Sequence, residues 1–322
     1  MTDWTLGIDI AKATFAVCLL RPGGTRRHKQ FPNTAPGHAA LLAWLQTHAA
    51  APVHACLEAT GTYGEAVATT LVDDGHAVSL VNPAAVKAFA YSQLRRSKTD
   101  RVDATVLADF CRAHRPALWT PWPVEVRVLQ GLVRRREAVQ DMLIQERNHQ
   151  QAGVLVAPVA VSVDRHIAQL EAELAALEAQ IRDHLDQHPT LRRQRDLLLT
   201  IPGIGPTTVA WLLAECRAIT DFASARAYAA YAGLVPRIQQ SGTWQGRARL
   251  SKLGNARLRH ALYFPALTAL RSVAAFQAFR ARQRAIGKHT RVIIAAVMRK
   301  LLHIAYGVLK HQRAFDPTML GA

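Results

Sequence analysis

The sequence is poor in cysteine and lacks the spacings of a metal-binding module. Its four cysteines, Cys18, Cys56, Cys111 and Cys216, stand apart, with no CxxC pair and no histidines at zinc spacing. This pattern excludes a zinc module and a disulfide framework, and we expect small buried thiols in a reducing compartment. A GxxxxGK[ST] loop is also absent, which argues against a P-loop ATP site.

Long apolar runs and a secretion signal are lacking as well. The opening residues, MTDWTLGIDI, have no basic stretch followed by an apolar one. No run approaches the roughly 20 uninterrupted apolar residues that span a membrane. We therefore expect no membrane partner and a cytoplasmic location.

Acidic residues are outnumbered. The 322 residues contain 40 Lys and Arg against 23 Asp and Glu, a net charge of +17. A positive field of this size favours a polyanionic partner, and nucleic acid is favoured over a membrane surface. The alternative is a compositional bias toward Arg and Ala without function. The length predicts two or three domains.

The first part of the chain predicts an α/β domain over residues 1–122. A β-rich stretch at 4–20 and a polar strand near RRHKQFPN precede alternating helices and strands as far as HAVSLVNP. Three antiparallel strands, followed by helices that alternate with strands, are the order of a ribonuclease-H-like fold. The segment RPALWTPWPVEV, rich in Pro and Trp, predicts the boundary.

The middle part, residues 123–190, predicts two long helices. Apolar residues recur at heptad a and d spacing, and Arg136 occupies one of these positions. The pattern fits a coiled-coil hairpin or a dimerisation arm equally well as an ordinary helix pair that packs on its own domain. The apolar positions are Leu129, Leu132, Val139, Leu143, Ile167, Leu170, Leu174, Leu177, Ile181 and Leu185.

The last part, residues 191–322, predicts a basic and mostly helical domain. It opens with LLLTIPGIGPTTVAWLLAEC, in which a Pro-Gly-Ile-Gly turn joins two helices, as in a helix-hairpin-helix. Gly203 and Gly205 would let backbone amides approach a phosphate at the start of the second helix. A purely structural turn between helices is the alternative.

Four carboxylates stand where a ribonuclease-H-like fold would bring them to one sheet edge. Asp9 interrupts the apolar first strand, and Glu58 ends a later strand. Asp100 and Asp103 lie one helical turn apart and project together. Any one of them alone could be a turn, edge or surface residue. Together they form a hard-oxygen pocket that suits Mg²⁺, the cofactor we expect, which would act in phosphodiester chemistry.

The motifs GIDIAKATF, LEATGTYG and RRSKTDRVDA, with IPGIGPTTVAWLLAE, YAAYAGLVPRIQQSG and GRARLSKLGNARLRHAL, occur in this order along nearly the whole chain. Their order and spacing resemble the DEDD insertion-sequence transposases of the insertion-sequence-110 type, which include relatives of the pilin-gene invertases. The resemblance implies an N-terminal RuvC-like nuclease domain and a C-terminal transposase domain. It also implies a Mg²⁺ site at Asp9, Glu58, Asp100 and Asp103.

The same resemblance implies a mechanism and partners. Ser241, in the context QSG, matches the serine nucleophile of that family. The resemblance further implies a structured guide RNA that pairs with donor and target DNA, and a homo-oligomer, from dimer to tetramer, with active sites shared between subunits. Without it, Ser241 is a turn residue in QQSGTWQG. Ser251 is the rival nucleophile, but its place at a helix start favours an N-cap or a phosphate contact.

A basic run follows Ser241 and is expected to contact nucleic-acid phosphates, which position the nucleic acid without reading its sequence. The alternative is a solvated face. The run consists of Arg247, Arg249, Lys252, Asn255, Arg257 and Arg259.

Three other functions compete with the recombinase. A junction-resolving endonuclease would use the same four acids with water as nucleophile. A non-catalytic RNA-binding scaffold would need only the basic helices, and Asp9→Ala would then be silent. A sugar-kinase-like ATPase also begins with a GIDIA-type strand but needs a second phosphate-binding glycine motif, which the sequence lacks.

Overall fold

The structure is a computed structural model that describes residues 4–59, 63–94, 99–153, 156–216, 218–237, 240–241, 244–245, 249–251 and 253–317, with the backbone alone at 240–241, 244–245 and 249. The chain divides into two compact units, Met1–Pro121 and Trp122–Ala322. The further division of the second unit at residue 190 stays a prediction.

The N-terminal unit is a mixed α/β structure, as predicted. Three strands come first, and helices then alternate with two further strands. The RPGGT turn joins the second strand to the third, with Gly23 and Gly24 both at positive φ. The elements are β1 (Thr5–Ile10), β2 (Thr14–Leu20), β3 (Arg26–Pro32), α1 (Ala35–His48), β4 (His54–Glu58), α2 (Glu65–Asp73), β5 (Ala77–Val81), α3 (Pro83–Ser92) and α4 (Asp100–His114).

The five strands form one sheet in the order β3-β2-β1-β4-β5. β1 and β3 are antiparallel to β2, whereas β4 is parallel to β1 and β5. Side chains of α1 and α2 pack on the face that carries Ile8 and Leu57. Side chains of α3 and α4 pack on the opposite face, around Cys56 and Leu107. Both faces of β1 and β4 are thus covered, which explains why the middle of each strand is apolar.

The helix starts in this unit follow local sequence signals. Thr34 caps α1, Asn82 caps α3 and Thr99 caps α4, each through a side-chain oxygen that accepts a backbone N–H. Pro83 stands in the first turn of α3, where its missing N–H costs nothing. The helix that carries Asp100 and Asp103 therefore begins directly after a threonine that caps it.

The C-terminal unit begins with two long helices, α5 (Val124–Gln151) and α6 (Ala157–Gln187), that pack antiparallel. Most of the predicted heptad residues form their common core, with Val139 and Leu143 against Leu170 and Leu177. The others, Leu129, Ile181 and Leu185, join the main core of the unit. Arg136 occupies an a/d position because it bonds to Glu178 across the pair, at 2.8 Å. The helices therefore pair within one chain, and their use as a dimerisation arm stays a prediction.

The remaining helices pack around one long apolar helix, α13 (Thr290–His311). Within the described residues it is the one helix that is long and apolar enough to cross a membrane, and 56% of an apolar stretch of 18 residues within it is buried inside the protein. The remaining elements are α7 (Pro189–Leu199), α8 (Pro206–Ala214), a 3-10 turn (Ile219–Asp221), α9 (Ala225–Tyr231), β6 (Pro236–Arg237), β7 (Gln240–Ser241), β8 (Trp244–Gln245), β9 (Arg249–Leu250), α10 (Ala256–Ala261), α11 (Tyr263–Ser272), α12 (Ala274–Ala285) and α13 (Thr290–His311).

Candidate active site

The register of the central strands brings two of the predicted carboxylates to neighbouring positions. Parallel pairing matches Gly7 with Cys56 and Ile8 with Leu57. The next residue on each strand is Asp9 on β1 and Glu58 on β4. Because residues matched across neighbouring strands point to the same face, the two carboxylates share one face at the carboxyl end of their strands. Both side chains are half-buried.

Gly7 lets α4 lie directly on this face. A Cβ atom at Gly7 would collide with the carbonyl oxygen of Ala104 and the amide nitrogen of Ala108. The small side chains of Ala16, Ala104 and Ala108 complete the contact. The helix backbone is thus held against β1, on the face that Asp9 shares with Gly7.

The direction of α4 carries its first turn toward the two carboxylates. The hydroxyl of Thr5 donates to the carbonyl oxygen of Ala108 at 3.3 Å, while Gly7 faces Ala104, so the helix runs antiparallel to β1. Two strand residues and four helix residues each advance about 6 Å. Asp9 therefore lies level with the first turn of α4, which holds Asp100 and Asp103. Asp100 is exposed and Asp103 is half-buried.

The four carboxylates share an edge of the sheet but do not form a closed set of ligands. Within the part of the chain that the structure describes, no three side chains of His, Cys, Asp or Glu are grouped so that they could hold a metal ion. The donor chemistry nevertheless fits Mg²⁺, because carboxylate oxygens are the ligands that this cation prefers. The fit therefore rests on the type of donor and on the shared edge.

Polar contacts missed by the sequence analysis hold α4 to the outer strand. Arg26 on β3 pairs with Asp109 at 2.9 Å. His28 bonds to the hydroxyl of Thr105 at 2.9 Å, and burial lowers the pKa of this histidine. Asp109, a third acid on the same helix, therefore helps to hold α4 against β3. No sequence signal marks these pairs, because their partners are more than 70 residues apart.

The cysteines are free thiols, as expected, and Cys18, Cys56 and Cys111 are buried. Cys56 stands two residues before Glu58, on the face that α4 covers. A hydrogen bond with Cys111 and burial raise the pKa of the Cys56 thiol. The thiols thus contribute apolar packing beneath the carboxylates.

Ser241 lies in the other unit, on the short strand β7, where it pairs with Trp244 of β8. Ser251 follows β9, and its backbone N–H donates to the carbonyl of Val235 at 2.9 Å. The prediction of Ser251 as an N-cap is wrong: α10 begins five residues later, and Asn255 caps it, because its side-chain oxygen accepts the N–H groups of Arg257 and Leu258.

The predicted glycine turn lies between α7 and α8. Gly203 has φ +88°, and a side chain there would press on Pro265 and Ala269 of α11. Gly205 precedes α8 and has open space around it. Gly203 is thus required by packing within the unit, whereas the role of both glycines in binding phosphate stays a prediction.

The basic run after Ser241 is divided in its environment. Arg247 and Lys252 lie outside the described residues, and Arg249 belongs to β9. The amide of Asn255 donates to Glu215 at 2.7 Å, and Arg257 lies 4.0 Å from the same carboxylate. The guanidinium of Arg259 donates to two backbone carbonyls. Asn255 and Arg259 are therefore engaged within the fold.

Segments of both units match families of known proteins. Residues 6–156 match the DEDD family of IS110 transposases, and residues 195–281 match the transposase IS116/IS110/IS902 family. The chain is similar to the pilin gene-inverting proteins of Moraxella bovis and Moraxella lacunata, with 37% identity in each case over 98% of both chains. It is also 25% identical to the transposase for insertion sequence element IS1328 of Yersinia enterocolitica, over 97% of this chain and 98% of that one.

Proposed function

The chain belongs to the IS110 family of insertion-sequence transposases, which are enzymes of DNA recombination, and we propose that it cuts and rejoins DNA through a covalent bond to Ser241. In this proposal the N-terminal unit is a RuvC-like domain whose carboxylates hold Mg²⁺. The observation that carries the proposal is the meeting of Asp9, Glu58 and the first turn of α4 at one sheet edge. The sheet order β3-β2-β1-β4-β5 supports it, because ribonuclease-H-like sheets have this order.

In the proposed reaction the carboxylates and Ser241 have separate roles. Asp9, Glu58, Asp100 and Asp103 would hold the cation, which when bound stabilises charge that develops on phosphate oxygens. The Oγ of Ser241 bonds to phosphorus, the bond from phosphorus to a deoxyribose oxygen breaks, and the serine proton passes to that leaving oxygen. A hydroxyl of the exchanged strand then attacks the phosphoserine and releases Ser241. The number of phosphate ester bonds is conserved, so no ATP is consumed.

The partners we propose are donor DNA, target DNA and a structured guide RNA, in a dimer or tetramer of the chain. Charge supports a polyanion at the C-terminal unit: residues 222–322 contain 17 Lys and Arg against one acid, Asp316. So few carboxylates leave most of these cations without a neutralising partner in their own segment. A nucleic acid supplies the missing negative charge.

The first prediction concerns the reaction as a whole. The protein, expressed from its genomic segment so that flanking RNA is present, should convert DNA that carries the element junction into rejoined product in Mg²⁺. Chelation of the metal and digestion of the RNA should each abolish the product. Gel analysis of end-labelled DNA separates the outcomes: cut ends without rejoining would favour the junction endonuclease, and binding without cleavage would favour the scaffold.

The second prediction concerns salt. Binding of DNA or RNA should weaken steeply with salt, with log K falling by about 0.9 per log unit of salt for each phosphate contacted on a duplex. Arg249→Ala should lower this slope by about one. Arg135→Ala is the matched control, because Arg135 is paired with Glu173 on the α5–α6 hairpin, and its loss should leave the slope unchanged. If the affinity of the wild-type protein for nucleic acid did not change with salt, this would contradict binding through phosphate contacts.

A further inference from the structure

The two ends of the segment that carries Ser241 are joined at their base. The backbone N–H of Asn255 donates to the carbonyl of Tyr231 at 2.7 Å, and that of Ser251 donates to Val235 at 2.9 Å. β6 and β9 pair between these contacts and the serine, with Pro236 opposite Leu250. We refer to residues 231–235 and 251–255 together, of which residue 252 lies outside the described part of the chain, as the base of the serine segment.

Two glycines allow the two chain stretches of this base to approach each other closely. Gly233 and Gly254 have φ of +68° and +132°, values that other residues adopt at a cost. A Cβ atom on Gly254 would collide with the carbonyl oxygen of Tyr231 and stand 2.8 Å from the nitrogen of Gly233. At this base the backbone around Gly254 therefore packs directly on the backbone of Tyr231 and Gly233.

The side chain of Arg259 locks both ends of the base at once. Its Nη1 donates to the carbonyl of Ala232 at 3.0 Å, before the serine, and to that of Gly254 at 3.2 Å, after it. Arg259 lies on α10, which is anchored in the core of the unit by Leu258 and Leu262, both with no exposed surface. The serine segment is thus tied through one guanidinium to a helix that is anchored in the core by a buried leucine.

A buried carboxylate fixes the other side of the base. Glu215 is 4% exposed and accepts a hydrogen bond from the amide of Asn255 at 2.7 Å. Arg134 on α5 donates to its other oxygen through Nε and Nη2, at 3.3 and 3.1 Å. A buried charge is costly unless it is paired and hydrogen-bonded, as here, and such a network has one well-defined geometry. Glu215 therefore fixes Asn255, which both caps α10 and ends the base.

We propose that Arg259, Asn255 and Glu215 are positioning residues that hold the Ser241 segment for attack on the DNA phosphate. The proposal rests on the proposed role of Ser241. It gives Asn255 and Arg259 a role other than the expected contact with nucleic acid, because the amide of Asn255 and the Nη1 atom of Arg259 donate hydrogen bonds to the protein. Such positioning matters because a displacement of about 1 Å of a reacting group can cost about 10²-fold in rate. Anchoring on a helix and on buried hydrogen bonds is how such displacement is prevented.

The test is Arg259→Lys, which keeps the positive charge but removes the two-point hydrogen bond. We expect affinity for DNA and RNA within about twofold of wild type, and a covalent protein–DNA adduct that forms at least about tenfold more slowly. Hydrogen exchange of residues 231–255 should become faster, while the melting temperature changes little. Arg135→Lys is the matched control, since it makes the same exchange at a guanidinium that bonds to Glu173 on the α5–α6 hairpin, and it should change neither readout near Ser241.

Glu215→Gln is the second variant, in case Arg259→Lys disturbs folding. It keeps the shape and the acceptor for Asn255 but removes the charge that Arg134 faces, so we expect slower adduct formation with unchanged binding. An adduct rate and hydrogen exchange equal to wild type in both variants would overturn the proposal. A loss of nucleic-acid affinity in Arg259→Lys that accounts for the whole rate loss would overturn it in favour of a phosphate contact.

Failure of the serine mechanism itself would be seen separately. If the adduct persists in Ser241→Ala, or never forms in wild type, the proposed function fails. The proposal that Arg259, Asn255 and Glu215 position Ser241 for catalysis then fails as well. Hydrogen exchange then still decides whether Arg259 orders residues 231–255, since that readout needs no DNA.

Discussion

Gly7→Ala is expected to lower the free energy of unfolding of the N-terminal unit by about 3 kcal/mol, the upper part of the range for overpacked cores. The added methyl would collide with backbone atoms of Ala104 and Ala108. A flexible side chain could move aside, but a helix backbone moves only as a whole. The substitution should therefore push α4 away from β1 and carry Asp100 and Asp103 away from Asp9.

Thermal unfolding of the purified protein, with hydrogen exchange to assign the transition, checks this expectation. We expect the transition of the N-terminal unit to fall by about 10 °C and strand cleavage to be lost with it. Gly64→Ala is the control in the same unit, because its added Cβ would meet nothing nearer than 3.6 Å, and it should cost less than about 1 kcal/mol. Equal melting temperatures of Gly7→Ala and wild type would contradict the observed packing of α4.

Much of the N-terminal fold could be predicted because its signals are local. Apolar runs between turn residues mark β1, β4 and β5, and Thr99 marks the start of α4. The meeting of Asp9 with Glu58 also follows from strand order, since parallel strands end at one edge. The closeness of α4 could not be predicted in this way, because it depends on Gly7 meeting Ala104 across almost 100 residues of chain.

In the helical hairpin, too, the local pattern could be predicted, whereas a contact between residues distant in sequence could not. The heptad pattern predicts the apolar contacts of Val139 and Leu143, but it leaves Arg136 unexplained. Its partner, Glu178, becomes apparent only when α5 and α6 are paired antiparallel. Periodicity indicates which face of a helix is buried, whereas the partner across an interface depends on register.

Arg259 and Asn255 show that the composition of a segment does not reveal the contacts that its residues make within the protein. A dense basic run is typical of phosphate binding, and these residues stand within one. Their hydrogen bonds, to backbone carbonyls and to Glu215, join the two ends of the serine segment, whereas their contact with nucleic acid stays a prediction. Glu215 itself, an acid at the end of an apolar helix, has no motif, and its role is apparent only from the contacts that converge on it.

Ser241→Ala is expected to have the largest effect on catalysis. Removal of the hydroxyl leaves no atom that could form the phosphoserine, so the adduct should fall by on the order of 10³-fold or more. Affinity for DNA and RNA should remain, because the substitution removes no charge. Ser251→Ala is the matched control: Ser251 is the other serine of the segment, and its backbone, not its hydroxyl, carries the contact with Val235.

The most direct measurement is therefore an adduct trap with identification of the linked residue. Protein produced with its flanking RNA is mixed with labelled junction DNA and Mg²⁺, denatured, and digested, and the nucleotide-bearing peptide is sequenced by mass spectrometry. We predict an adduct at Ser241 in the wild-type protein and in Ser251→Ala, and none in Ser241→Ala. Cleaved DNA without an adduct, or an adduct on another residue, would contradict the account.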